Sequence, residues 1–221
     1  MPYSIVKAMA YPISKYIVPY IYLMWLRKVD GLENIPEDLP FIVAVNHTSY
    51  YDALLLPCII GPKINKQVHA WVNSFYWTNP MTRFFLNLWG GIPMYVEKEK
   101  GSKEKNKTTF KQSVKYLKKG GLIMIFPEGR RSGGKLLKAY PGIARLALTA
   151  RVPVLPCGII GANEVMPKGA AFPRFKRCEV KIGNLMYFDK FYNKNDERTY
   201  EQVTRSIMNE IAKLINQKYT H

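Results

Sequence analysis

The chain has 221 residues, enough for one well-cored domain and too few for two full ones. Its 33 Lys and Arg outnumber 16 Asp and Glu, and the net charge of +17 favours phosphate-bearing partners: nucleic acid, anionic lipid or small substrates. The high apolar content excludes a disordered chain, and the sparse histidines and the widely spaced Cys58, Cys157 and Cys178 leave no His/Cys set for a metal and no CxxC pair.

Residues 1–28 are rich in Ile, Tyr, Leu and Met, with Lys7 and Lys15 the only charges before Arg27. Pro12 and Pro19 are expected to break the segment into short pieces. The longest clean run, Tyr16 to Leu26, falls well short of the roughly 20 apolar residues a spanning helix needs. Two readings fit: a helical hairpin packed on the protein's own core, or a monotopic anchor with Tyr and Trp at headgroup depth and lysines outside. The net charge favours the anchor, on the cytoplasmic face of an anionic membrane. An odd number of cysteines fits a reducing compartment.

Residues 29–221 read as one α/β domain. Strands are predicted at "FIVAV" (41–45), "IPMYV" (92–96), "LIMIF" (122–126), "VPVLPCGII" (152–160) and "EVKIG" (179–183). The last alternates Glu179 and Lys181 with Val180 and Ile182, as a half-exposed edge strand does; the others are continuous apolar runs of buried strands. Between them a helix follows Asn79-Pro80, with Met81, Phe84, Phe85 and Leu88 as its apolar stripe. Others carry Phe110, Val114 and Leu117, then Ala144 and Ala147, and finally Val203, Ile207, Ile211 and Leu214. Alternating strands and helices imply a mixed, largely parallel sheet flanked by helices.

The stretch "VNHTSYYDALLL" follows the first of these strands. His47 and Asp52 are five positions apart, about 140° on a helix, so they cooperate only if the histidine precedes the helix. Ser49 can cap a helix from Tyr50 onward, and Ser49-x-x-Asp52 has capping-box spacing. This stretch alone leaves two readings open, a helix start or a histidine base oriented by an aspartate. "LIMIFPEGRRSGG" repeats the plan: an apolar strand, then Pro127-Glu128-Gly129 and two arginines. If the two strands are parallel, His47 and Arg130/Arg131 emerge at one sheet edge, where ligand sites of open α/β sheets gather. A base beside arginines that grip an anion points to a reaction on a phosphate-bearing alcohol. No GxSxG motif and no His-adjacent cysteine offers a covalent nucleophile, so direct attack by a substrate hydroxyl is the simplest chemistry.

"NHTSYYD" (46–52) resembles the NHxSxxD block, and "FPEGRRS" (126–132) the FPEGTRS block, of the glycerolipid acyltransferases, typified by lysophosphatidate acyltransferases. "VPVLPCGIIG" (152–161) is similar to a later VPVxPV block, and the resemblance spans roughly residues 30 to 190. It implies an α/β domain, often preceded by a two-helix membrane-binding motif. It implies acyl transfer from acyl-CoA or acyl carrier protein to a lysophospholipid or glycerol phosphate, with no cofactor beyond that donor. It makes His47 the general base and Asp52 its orienting partner, with Glu128, Gly129 and Arg131 holding the acceptor.

The sequence departs from the family pattern around the phosphate. Val96 stands near the position of the arginine that usually closes the second block, the nearest cation is Lys98, and Arg130 replaces a threonine. Lys98 or Arg130 is therefore expected to supply the missing charge. The apolar acyl groove has Phe84, Phe85, Trp89 and residues 152–155 as candidates. Two alternatives remain: a non-catalytic lipid-surface protein on this fold, which the intact His47, Asp52 and Glu128 oppose, and a nucleic-acid binder, for which no recognition signature is present.

Overall fold

The computed structural model describes residues 3–96 and 98–221. Among them, α1 (Tyr3–Tyr22) leads into β1 (Leu26–Asp30), followed by β2 (Phe41–Val45), α2 (Asp52–Ile64), β3 (Val68–Asn73), α3 (Pro80–Leu88) and β4 (Gly91–Met94). The chain continues through α4 (Ser102–Lys118), β5 (Leu122–Ile125), α5 (Gly142–Ala150), β6 (Val154–Ile160), α6 (Ala162–Val165), β7 (Cys178–Ile182) and α7 (Glu197–Leu214). The strands form one seven-stranded sheet in the order β1-β7-β6-β2-β5-β3-β4. Every pairing is parallel except that of β6 with β7.

β2 lies at the centre and is buried on both faces, which is why it reads as an unbroken apolar run. Its pleat sends Ile42 and Ala44 into a core shared with α5 and α7, and Phe41, Val43 and Val45 into a second core shared with α2. Because β2, β3, β4, β5 and β6 run the same way, the loops that leave them collect at one edge.

The structure corrects four expectations. β7 alternates buried and half-buried residues as foreseen, but it is not an edge strand: β1 pairs along it. The alternation reports one open face, not an open edge. β1 escaped notice because the edge strand carries charge, with Arg27 bridging to Glu179 at 3.3 Å. Gly31 closes β1 at φ +81°, where a Cβ would stand 2.0 Å from the Ile182 carbonyl oxygen, so only glycine fits. β3 was also missed, although Val68 and Ala70 alternate inward with His69 and Trp71.

The third correction concerns α1. It is a single helix running through Pro12 and Pro19, not a set of short pieces. An interior proline costs roughly 3 kcal/mol, and here packing on α2 offsets it. Tyr22 stacks on Tyr51 with centroids 4.5 Å apart, and each phenol donates to the other's backbone carbonyl. Lys15 turns inward instead of outward, donating from Nζ to Asn65 Oδ1 at the end of α2, and Trp25 packs edge-on against Tyr51. The fourth concerns α3. Of its predicted stripe only Leu88 is buried, in a cluster with Trp89 that Ala10, Tyr11 and Val18 of α1 cover; Met81, Phe84 and Phe85 face out. No helix among the described residues is long and apolar enough to cross a membrane.

Candidate active site

The site begins where β2 ends. Asn46 is buried and locks the strand exit to β6: its amide donates to the Ile159 carbonyl at 2.9 Å and accepts from the Ile159 N–H at 2.7 Å. The chain then turns outward at His47, before α2 starts, as cooperation with Asp52 requires. Asp52 is the first residue of α2 and fully buried. Its Oδ2 accepts from the N–H groups of Thr48 at 2.6 Å and Ser49 at 2.7 Å and lies 3.1 Å from His47 Nδ1. Helix start and dyad are thus the same carboxylate oxygen. The bonds from the Thr48 and Ser49 N–H groups hold the turn into α2, and the bond to Nδ1 fixes the imidazole. With Nδ1 protonated toward Asp52, Nε2 carries a free lone pair.

The loop after β5 builds the other wall. The Phe126 ring stacks on His47 with centroids 3.9 Å apart, and Ser132 N–H donates to the His47 carbonyl at 2.8 Å. Glu128 is buried beneath them. Its Oε1 accepts from His47 N–H and its Oε2 from Leu137 N–H, both at 2.8 Å. Burial pushes its carboxyl up to about 7, against the pull of those two N–H groups. Gly129 sits at φ +65°, and a Cβ there would press on the Tyr140 ring at 2.9 Å. Arg131 lays its guanidinium on the Tyr50 ring, 3.5 Å from the centroid. The three cysteines are buried free thiols; burial raises Cys58 to about 12, which removes it as a nucleophile at neutral pH.

A histidine whose Nε2 has no partner among the described residues, held by a buried carboxylate beside an arginine that pairs with no acidic side chain among them, can take a proton from an alcohol next to an anion. Comparison with known proteins gives the family. The model of the Acyltransferase family matches residues 27–160. The chain belongs to the Acyltransferase family. The 1-acyl-sn-glycerol-3-phosphate acyltransferase of Pseudomonas aeruginosa is 30% identical over 177 residues, covering 75% of this chain and 64% of the relative. That of Bacillus subtilis is 25% identical over 193 residues, covering 86% and 88%. A chloroplastic 1-acyl-sn-glycerol-3-phosphate acyltransferase of Brassica napus is 26% identical over 153 residues, but the match takes in 68% of this chain and only 42% of that protein. The crystal structure of the 1-acyl-sn-glycerophosphate acyltransferase PlsC from Thermotoga maritima superposes with a TM-score of 0.69 at 22% identity, over 95% of this chain and 80% of that one, a likeness of fold.

Not every residue the sequence nominated lies at this cluster. His47, Asp52, Glu128, Gly129 and Arg131 come together. Each oxygen of Glu128 accepts from a backbone N–H, so the side chain braces the two loops from below. Arg130 is exposed at the rim, and Lys98 is exposed beyond β4, three strands from β2. Of the acyl-groove candidates, Trp89 and the 152–155 run are core, while Phe84 and Phe85 face out. Asn46 and Phe126 were inside the quoted motifs, yet nothing in a linear reading assigned them a task. A polar residue ending a buried strand was the available signal for Asn46.

Glu128 gives the site a pH dependence. Its folded pKa of about 7 stands above the ordinary 4.5. The folded state therefore holds this proton more tightly than the unfolded chain, and stability from this group is complete below pH 4.5 and declines as pH rises to about 7. The decline should amount to on the order of 2–3 kcal/mol. Glu128→Gln removes the titration. The expected result is a melting temperature that falls less between these pH values than the wild type's; parallel profiles for the two proteins would refute the assignment.

Proposed function

We propose that this chain transfers a fatty acyl group from acyl-CoA or acyl carrier protein to the free hydroxyl of a lysophospholipid, 1-acyl-glycerol 3-phosphate, giving phosphatidate. The observation that carries the reading is the His47 Nδ1–Asp52 Oδ2 contact of 3.1 Å, with no partner for Nε2 among the described residues. Nε2 takes the hydroxyl proton as the oxygen bonds to the thioester carbonyl carbon. The tetrahedral intermediate collapses with loss of the C–S bond, and the leaving thiolate receives the proton back from His47. Asp52 offsets the imidazolium charge in between. Arg131 binds the phosphate of the acceptor. The test is an acceptor panel of lysophosphatidate, glycerol 3-phosphate and neutral or zwitterionic lysolipids, each with an acyl-CoA and an acyl carrier protein donor. The reading expects lysophosphatidate to lead the panel; turnover with none of these acceptors refutes it.

The same reading puts residues 1 to about 28 on the cytoplasmic face of an anionic membrane, where such acceptors reside. Ile13, Ile17, Tyr20 and Ile21 are exposed on α1, and Phe84 and Phe85 on α3. A groove of about 420 Å³ between α1 and α2, lined by Pro19, Leu23, Cys58 and Pro62 among others, adds apolar surface. Lipid contact by exposed aliphatic side chains is worth about 1.5–3 kcal/mol each, and nearby basic residues add roughly 1 kcal/mol apiece on anionic headgroups. Ile17→Glu with Ile21→Glu should leave the fold intact and weaken binding to anionic vesicles by at least about tenfold. Unchanged co-sedimentation of the double variant, or equal binding of the wild type to neutral vesicles, would count against the anchor.

A further inference from the structure

α4 carries a charge pattern that its own stability opposes. Lys103, Lys107, Lys111 and Lys115 follow one another at i, i+4 spacing, and Lys118 falls in the same arc at roughly 100° per residue. All five are exposed, and among the described residues none forms an ion pair. Like charges at this spacing destabilise a helix. The helix dipole accounts for Lys115 and Lys118 in the last turn. It works against Lys103 in the first, where Gly101 supplies no side-chain cap. Glu104 is the one acidic residue of the helix. The opposite face holds α4 in place. Asn106 accepts from the Tyr95 N–H at 2.8 Å and donates to the Tyr95 carbonyl at 2.7 Å. Thr109 Oγ1 donates to the Pro93 carbonyl at 3.2 Å, and Ser113 Oγ accepts from Trp71 Nε1 at 3.0 Å. The lysines therefore stand on a fixed platform, roughly 22 Å long from Lys103 to Lys118 at 1.5 Å per residue.

We infer that the lysine face of α4 docks an acidic protein surface, that of an acyl carrier protein bearing the donor thioester. The inference rests on the proposed acyl transfer, which admits a coenzyme-borne and a protein-borne donor, and it selects the second. Place in the fold argues against a membrane as the partner. Phe110, Val114 and Leu117 of α4 pack into the core shared with α5 and α7, whereas α1 packs with α2 on the other face of the sheet. A membrane that takes the exposed side chains of α1 lies on the side away from α4. Length argues for a protein. A row of five charges along four turns meets a row of carboxylates on a protein surface, while the few phosphates of a coenzyme leave most of it unmatched. α4 also starts at the right edge. It follows β4, so its first turn lies at the carboxyl edge where His47 emerges, three strands along, roughly 14 Å at the usual strand spacing. A carrier lying on α4 sends its thioester arm around that edge to Nε2. Charge contacts of this kind set encounter rate and partner choice, and salt weakens them.

The test combines Lys103→Gln, Lys107→Gln and Lys111→Gln in the full chain. The control combines Lys190→Gln, Lys194→Gln and Lys218→Gln, exposed lysines away from α4. Glutamine keeps the helix propensity of lysine, and a melting curve checks the fold; Lys107→Glu alone repeats the measurement with a single change. In detergent micelles without vesicles, the α4 variant should raise the KM for an acyl carrier protein donor at least about fivefold, while kcat and the KM values for acyl-CoA and lysophosphatidate stay within about twofold. The carrier-protein KM of the wild type should climb with salt more steeply than that of the variant, and the control should follow the wild type. An equal rise in the KM of both donors, or an equal change in the control, overturns the proposal. So does a variant that loses anionic vesicles but keeps its carrier-protein KM, which makes the membrane the partner. A wild type that uses acyl-CoA but neither uses nor binds the carrier protein overturns it as well. If no donor is used with any acceptor, the proposed function fails. The docking face then stands only if calorimetry shows the carrier protein binding the wild type more tightly than the α4 variant.

Discussion

His47→Ala should lower kcat for acyl transfer by about 10²–10⁴-fold, the usual worth of a positioned general base. The folded structure should survive. The side chain is 18% exposed and packs chiefly on the Phe126 ring, while its backbone N–H and carbonyl make the bonds to Glu128 and Ser132 that shape the loop. Those backbone bonds do not depend on the imidazole. Asp52 loses a partner but keeps the N–H groups of Thr48 and Ser49. The melting temperature should therefore shift by only a few degrees, with on the order of 1 kcal/mol lost. His47→Gln checks the point, since its amide can still donate to Asp52 but cannot accept a proton at neutral pH; it should be as inactive as alanine and at least as stable. Near-normal turnover in either folded variant would sink general-base catalysis by His47.

The fold was legible where a strand's surroundings are uniform. β2, β5 and β6 are buried on both faces, so composition alone marks them. It was least legible where one side chain serves two masters. α1 contains two prolines, and only its packing on α2 explains why it stays one helix. The aromatic residues of α3 have the spacing of a core stripe but face outward, since periodicity reports that a face is apolar and not what covers it. At the site, the dyad could be read from spacing because both residues belong to one strand-to-helix turn. Tyr50 and Tyr76 could not, since they follow different strands and meet only because β2 and β3 share a carboxyl edge. The resemblance to the FPEGTRS block assigned Glu128 to the acceptor; that its two oxygens also accept from the N–H groups of His47 and Leu137 is something no linear pattern displays.

Asp52→Asn separates the two tasks that one carboxylate oxygen performs. An asparagine in the same rotamer keeps a carbonyl oxygen where Oδ2 now accepts from Thr48 and Ser49, and places its NH₂ where Oδ1 has no partner. The start of α2 should persist. Its cost is the loss of a negative charge near the helix N-terminus, about 0.3–1 kcal/mol, and of an unpaired NH₂ in a buried position, about 1–3 kcal/mol at most. The rate should suffer more. A neutral amide oxygen can still meet Nδ1, but it cannot offset the imidazolium that forms when Nε2 takes the substrate proton, and it no longer fixes which nitrogen carries the resting proton. A loss of about 10²–10³-fold in kcat is expected. Asp52→Ala removes the carbonyl as well, so it should be equally inactive and clearly less stable than the asparagine variant. Measured on the same samples, a variant that melts earlier yet keeps its rate would make Asp52 a cap and nothing more. A variant that keeps its melting temperature and loses its rate would make it the partner of the base.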